Sequence, residues 1–397
     1  MFIEDTMPVK VKEKKMNINS LASDLFVDLQ KEAYNWKKDV IVNKPKLLEE
    51  IGAALGNKEI TLLRRKVYSI FSIINYPKSD RIGLLNIDRN GDTAVLKRGP
   101  LLEELKQIQE AHTIDRAKYY LERLKKGVTE IRTSKINDIN LNRWKEYNDI
   151  ITDSLWILDK RDSSGAHIGS YWGNFIPQIP RQLMMRYTKK GDWVVDTFVG
   201  SGTTLIECKR LGRSGIGIEL NPYVAKQAKE IIRKEGNIHN AKIELVTADS
   251  RKVNLQDTLS KYQVKKVQLI IMHPPYHNII KFSSNPNDLS TAKSVEDFIG
   301  MFADVIDNTT PFLEKGRYLC IVIGDKYSQG KWIPLGFYLM NEVLKRNFSL
   351  KSIIVKNFEE TRGKRNQKDL WKYRALVGGF YIFKHEYILL FKKTAEK

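Results

Sequence analysis

Asp196-Thr197-Phe198-Val199-Gly200-Ser201-Gly202-Thr203-Thr204 is the stretch on which the fold turns. An apolar run, Trp193-Val194-Val195, precedes it, and a helical apolar pattern of Leu205, Ile206, Cys208 and Leu211 follows. That order reads as strand, tight glycine turn, helix. Gly200 and Gly202 lack a Cβ, so a ligand can press against the backbone there, beside the positive end of the next helix. Ser214 to Leu220 then reads as a second strand ending on the carboxylate of Glu219. An acid at that point suits a ribose diol, which can donate two hydrogen bonds to one carboxylate. On these residues alone a generic nucleotide-binding Rossmann-type unit fits as well as anything narrower.

A second stretch narrows the choice. Gln268 to Met272 is an apolar strand running into His273-Pro274-Pro275-Tyr276. Two prolines stop a sheet ladder and fix the backbone, leaving an aromatic ring at the carboxyl end of a parallel strand. Ligands in open α/β sheets bind at those ends. Glycine turn and Pro-Pro-Tyr turn together resemble the motifs of S-adenosylmethionine-dependent DNA amino-methyltransferases, which modify adenine N6 or cytosine N4. The resemblance covers about residues 165 to 280 well and the remaining strands loosely. It implies an α/β fold: a Rossmann-like, seven-stranded, mostly parallel sheet over residues 151–397, its last strand antiparallel. It also implies a cofactor site made of Asp196, Phe198, Gly200, Gly202, Thr203, Thr204, Glu219 and Asn221. Asn174, Phe175 and Ile176, on the segment entering the glycine strand, cover the methionine end in that family. Asp249 closes the third strand and becomes an adenine contact, its plainer role being a helix N-cap.

Composition bounds the partners. With 397 residues the chain is long enough for two domains. Its net charge of +20 favours a polyanion over a neutral ligand. No apolar run is long enough to span a membrane, and Met1-Phe2-Ile3-Glu4-Asp5 is acidic, unlike a signal peptide. The two cysteines, Cys208 and Cys320, lie in apolar segments and read as core residues in a reducing, cytoplasmic setting. No Cys/His spacing suggests zinc, and no metal is expected.

Residues 1–150 lie outside the resemblance and read as a mainly helical accessory domain. Apolar sets run from Leu21 through Trp36, Leu47, Ile51 and Leu62 to Phe71, and Leu101 to Lys126 is helical again. Ile87 to Leu96 suggests a hairpin across Asn90-Gly91. Helices followed by a small basic hairpin suit a winged-helix-like DNA reader; a plain helical accessory domain is the alternative. No insertion after the glycine motif is large enough for a domain, so target recognition is expected from residues 1–150, helped by loops. One loop, Asn278 to Ala292, carries Lys281. The other, Glu359 to Arg374, carries Arg362, Lys364, Arg365 and Lys368 around Trp371 and Tyr373. Basic residues among aromatics suit a phosphate backbone and an extrahelical base. Double-stranded DNA is the expected partner, with a cognate restriction endonuclease if the chain serves a restriction–modification system.

The implied chemistry is demanding. An exocyclic amine is a poor nucleophile because its lone pair is delocalised into the ring. The duplex hides it, so the base must leave the stack at a cost of a few kcal/mol, roughly 3. Tyr276 stacking on that base returns about 1–3 kcal/mol. The Pro274 carbonyl and the side chain at position 273 accept from the NH2 group, which turns its lone pair towards the methyl donor. The family has Asp, Asn or Ser at this position. His273 supplies one ring nitrogen, and only while neutral. At the ordinary histidine pKa of about 6.5 the rate should fall on acidification. His277, four residues on, is the alternative polar partner.

Overall fold

The computed structural model describes residues 38–87, 91–358 and 368–395, which form two compact units. One takes the described residues up to Arg132 with Leu141–Glu146; the other takes Thr133–Asn140 with the described residues from Tyr147 onward.

The first unit begins with β1 (Asp39–Asn43), α1 (Lys44–Leu55) and α2 (Ile60–Asn75), followed by β2 (Thr93–Lys97), α3 (Arg98–Gln109) and α4 (Ile114–Thr129). Leu47, Ile51, Leu63, Val67, Ile70, Leu105, Ile108 and Leu121 recur at helical spacing and are fully buried together. The Asn43 side chain caps α1 through the Lys46 N–H, and Arg98 reaches the last carbonyls of α2 at Ile74 and Asn75. The hairpin expected across Asn90-Gly91 is corrected. Thr93–Lys97 pairs antiparallel with Asp39–Asn43, Val42 opposite Ala94, so its partner lies far back in the chain. Asp88 to Asn90 and the apolar set from Leu21 to Trp36 lie outside the described residues.

The second unit runs β3 (Leu155–Trp156), α5 (Gln178–Tyr187), β4 (Trp193–Asp196), α6 (Thr203–Leu211), β5 (Ser214–Glu219), α7 (Pro222–Lys234), β6 (Ile243–Thr247), α8 (Leu255–Ser260) and β7 (Val267–Met272). It continues α9 (Val295–Thr309), β8 (Leu313–Ile323), β9 (Lys326–Ser328), β10 (Lys331–Ile333), α10 (Leu335–Leu344), β11 (Phe348–Asn357), α11 (Lys368–Gly378) and β12 (His385–Lys393). The main sheet is ordered β3-β11-β12-β8-β7-β4-β5-β6. These are the seven expected strands plus the two-residue β3 at the edge. Neighbours from β8 to β6 are parallel, and β12 runs antiparallel to both β8 and β11.

Both faces of the sheet are covered, one by Phe298, Phe302, Val305 and Leu339, the other by Leu183, Leu205, Ile206 and Ala228. Double coverage explains why β4 and β7 read as near-continuous apolar runs. Gly217 in β5 lets α6 sit close: a Cβ there would meet Val199 at 2.7 Å and Leu205 at 2.9 Å. The chain moves outward from β4 through β5 to β6, then returns to lay β7 on the other side of β4. The order reverses between β4 and β7, and ligands of such sheets bind in the crevice at that point. Among the described residues no helix is long and apolar enough to cross a membrane.

Candidate functional site

The turns that follow β4 and β7 line one cavity of about 1150 Å³. Phe198, Gly200 and Thr203 come from the first turn and His273, Pro274, Pro275 and Tyr276 from the second. Glu219, Asn221 and Asp249 contribute from the ends of β5 and β6, and Asn174, Phe175 and Ile176 from the entry segment.

On the β4 side, backbone donors hold the carboxylate of Glu219. The Gly200 N–H donates to Oε2 at 3.1 Å and the Asn221 N–H to Oε1 at 2.9 Å. Burial pushes this carboxyl above its ordinary range while those two donors pull it back. Each oxygen keeps a lone pair for a further donor. Asn174 ties the entry segment to the glycine turn: its amide donates to Ser201 Oγ at 2.7 Å and accepts from Thr203 Oγ1 at 2.8 Å.

Three residues expected in the cofactor site do not line the cavity. Asp196 is buried, accepts from Thr204 Oγ1 at 2.5 Å and from the Phe198 N–H at 2.9 Å, and so braces the turn from behind. Burial raises its carboxyl to about 6. Gly202 has φ 89°, and a Cβ there would stand 2.7 Å from Ile232 of α7. Its freedom serves helix packing, where the sequence suggests room for a ligand. Gly200 does line the cavity, roofed by the Tyr171 ring, which a Cβ would meet at 3.0 Å. Asp249 is taken up by Arg251, whose Nε and Nη2 lie 3.1 and 2.8 Å from Oδ2, leaving little capacity for an adenine amine.

On the β7 side a chain of polar groups runs from the turn into β12 and β11. His273 Nε2 lies 3.2 Å from Tyr276 Oη, and Tyr276 Oη donates to Glu386 Oε2 at 2.8 Å. Lys356 Nζ stands 2.9 Å from Glu386 Oε1. Lys356 and Glu386 face each other across the antiparallel ladder of β11 and β12, which puts both charges under the turn. Burial tends to raise the Glu386 carboxyl, but Lys356, His273 and the Tyr276 hydroxyl hold it below its ordinary value. Burial and the Glu386 charge push the Tyr276 hydroxyl well up, so it stays protonated at neutral pH. The ring of Tyr276 rests on Gly324, where a Cβ would come within 2.8 Å.

Burial lowers His273 to about 4. The acid limb expected near the ordinary histidine value therefore moves down: the ring stays neutral through mildly acidic pH. His277 is placed elsewhere. Its Nε2 meets the Ala292 carbonyl at 3.1 Å, its Nδ1 meets Lys326 Nζ at 3.3 Å, and it does not line the cavity.

The basic segments divide. Lys281 and Lys368 are exposed and off the cavity wall. Arg362, Lys364 and Arg365 lie outside the described residues. Trp371 lines the cavity with the Arg374 guanidinium 5.2 Å above its ring. The loop expected over Glu359 to Arg374 is corrected in its described part, because Lys368–Gly378 forms α11. Asp162, His167 and Glu207 bring ligand atoms within 4.8 Å of one another, away from the cavity. The Arg210 guanidinium, 3.3 Å from Glu207 and 3.6 Å from Asp162, already compensates that cluster.

Sequence reasoning passed over Tyr171, Lys356 and Glu386. The last two flank apolar runs, Lys356 after Ile353-Ile354-Val355 and Glu386 before Tyr387-Ile388-Leu389-Leu390, but pairing them required the ladder register.

The sequence profile of the family described as DNA methylase matches residues 8–230 and 267–397. Among curated proteins, the Type II methyltransferase M.MjaII of Methanocaldococcus jannaschii is 38% identical over 68 residues, 17% of this chain and 13% of that one. The Type II methyltransferase M.HpaI of Haemophilus parainfluenzae is 37% identical over 92 residues, 23% of this chain and 27% of that one. A tRNA (guanine(10)-N2)-dimethyltransferase of Methanocaldococcus jannaschii is 26% identical over 167 residues, 40% of this chain and 44% of that one. The chain thus spans less than half the length of each relative it matches here.

Proposed function

The chain belongs to the DNA methylase family, and from that premise we propose that it transfers a methyl group from S-adenosylmethionine to an exocyclic amino group of a base in double-stranded DNA. One observation carries the reading: the glycine turn and the Pro-Pro-Tyr turn, on adjacent strands, line a single cavity.

The donor set on the β4 side fits the cofactor. Gly200 lines the cavity beneath the Tyr171 ring, and Glu219 offers two anchored oxygens with lone pairs to spare. When bound, S-adenosylmethionine supplies an electrophilic methyl group on a cationic sulfur. Glu219 would accept from the ribose hydroxyls, with Phe198 and Asn221 beside it. Phe175 and Ile176 would cover the methionine end.

The β7 side suits the target. His273 and the Pro274 carbonyl are acceptors for the two protons of an amine, which leaves its lone pair free to attack. The Tyr276 ring offers a stacking face, worth roughly 1–3 kcal/mol towards the cost of extruding a base. Phe358, Trp371, Phe380 and Phe383 also line the cavity and would keep water from the amine. Arg374 and Lys372 on α11 are suited to phosphates. We assign target recognition to residues 1–150 and catalysis to 151–397, in the cytoplasm and in a restriction–modification or orphan modification system. Adenine N6 and cytosine N4 both suit these acceptors.

The test is incubation with methyl-labelled cofactor and either plasmid DNA or total RNA, followed by nucleoside analysis. Label in N6-methyladenine or N4-methylcytosine of DNA supports the proposal and names the base. Label confined to RNA guanine, the kind of substrate named for the tRNA relative, would overturn it.

A further inference from the structure

We propose that Glu386, held by Lys356, fixes the tautomer of His273 through the hydroxyl of Tyr276, so that Nδ1 is the nitrogen that accepts from the target amine. The inference rests on the methyl-transfer reading only for its last step; the tautomer itself follows from hydrogen-bond direction.

Lys356 Nζ carries protons only and sits 2.9 Å from Glu386 Oε1 and 3.0 Å from the Asn357 carbonyl. It keeps Glu386 ionised, and an ionised carboxylate only accepts. The Tyr276 hydroxyl, 2.8 Å from Glu386 Oε2, must therefore spend its single proton on that oxygen. What Tyr276 Oη turns towards His273 Nε2, 3.2 Å away, is lone pairs alone. A neutral imidazole meets lone pairs favourably only with the nitrogen that bears hydrogen. His273 Nε2 is then the protonated nitrogen and Nδ1 the bare acceptor. The opposite tautomer would set two acceptors against each other at 3.2 Å. Among the described residues Nδ1 has no hydrogen-bond partner, and His273 lines the cavity. The logic is that of a carboxylate orienting a catalytic imidazole, here relayed through a phenol and ending on an acceptor.

This makes Glu386 and Lys356 positioning residues, and it accounts for a histidine at a position where the family has an oxygen acceptor. A ring with two inequivalent nitrogens needs a neighbour to choose between them, whereas an oxygen does not.

The experiment has two readouts. Nitrogen-15 NMR of histidine-labelled protein, with His273 assigned by comparison with His273→Asn, reports each ring nitrogen directly. The expected spectrum at pH 7 has Nε2 protonated and Nδ1 bare, changing to a mixture in Tyr276→Phe and in Glu386→Gln. Single-turnover methyl transfer should fall about tenfold or more in Tyr276→Phe, which keeps the stacking ring. The same substitution should cost much less in a His273→Asn background, whose acceptor has no tautomer to choose. A bare Nε2 in the parent protein, or an equal loss in both backgrounds, would overturn the relay. Failure of the functional reading looks different: the expected NMR pattern with no methyl transfer to DNA by the parent.

Discussion

If burial keeps the acceptor at position 273 neutral, methyl transfer should resist acid in a measurable way. With His273 at about 4, its ring is about 97% neutral at pH 5.5, against about 9% at the ordinary value of 6.5. The groups facing it are Tyr276 on its own loop, Lys356 on β11 and Glu386 on β12. Asp196, raised to about 6, titrates in the same window and braces the glycine turn. The rate should therefore be read as the ratio of parent to His273→Asn, which share Asp196. Single-turnover transfer at saturating cofactor and DNA, measured from about pH 5 to 8, should give a ratio flat down to the lowest pH. A tenfold fall in the ratio between about pH 7.5 and 5.5 would refute the reasoning, since a ring with the ordinary histidine value titrates there and the contribution of Asp196 cancels in the ratio. Stability should move with pH as well. The folded value lies below the unfolded one, so from about 6.5 down to about 4 the unfolded chain binds the proton first. The stability is whole above that window and is lost as pH falls through it, and the urea midpoint of His273→Asn should fall less over the same range.

Three further outcomes are expected. Tyr276→Ala should abolish transfer while cofactor affinity by calorimetry stays within about twofold, since the ring packs on Gly324 and its hydroxyl donates to Glu386; lost cofactor affinity would reassign the ring. Gly202→Ala should cost about 2–5 kcal/mol in urea unfolding. About 1–2 of that comes from the left-handed backbone and about 1–3 from pressing a methyl into Ile232. An unchanged midpoint with lost cofactor affinity would return Gly202 to the binding site. Glu219→Ala should weaken cofactor binding about 10- to 100-fold, by removing hydrogen bonds worth about 1.5–3 kcal/mol to a charged group, and should leave DNA affinity measured without cofactor nearly unchanged.

What could be read from the sequence was local. Trp193 to Thr204 and Gln268 to Tyr276 announce themselves because each is an apolar strand ended by residues with narrow backbone demands. Their neighbourhood in the sheet follows from the order reversal common to such folds. Pairing across long separations left no trace of that kind. Thr93–Lys97 looked like the second arm of a local hairpin because Asn90-Gly91 precedes it, yet its partner is Asp39–Asn43. Lys368 to Arg374, the described end of the expected loop, opens a helix whose residues are charged and aromatic without a clean apolar stripe, and none of the helix side chains is buried. Gly202 shows the limit of composition. The sequence asks for glycine, but only the packing of Ile232 says for what.

The Lys356–Glu386 pair is the part of the site that folding alone explains least. Taking two charges out of water costs several kcal/mol per ion, about 5, and an apolar pair of similar size in a central ladder is often as stable or more so. The strands around it supply such residues freely: Ile353, Ile354, Ile388 and Leu389. A buried ion pair placed opposite itself across β11 and β12, with one carboxylate oxygen left for the hydroxyl of Tyr276, is therefore better accounted for by direction than by strength. A carboxylate that can only accept imposes an order on every proton between it and the cavity. Two apolar residues there would hold the sheet together equally well and would leave the imidazole of His273 without instruction.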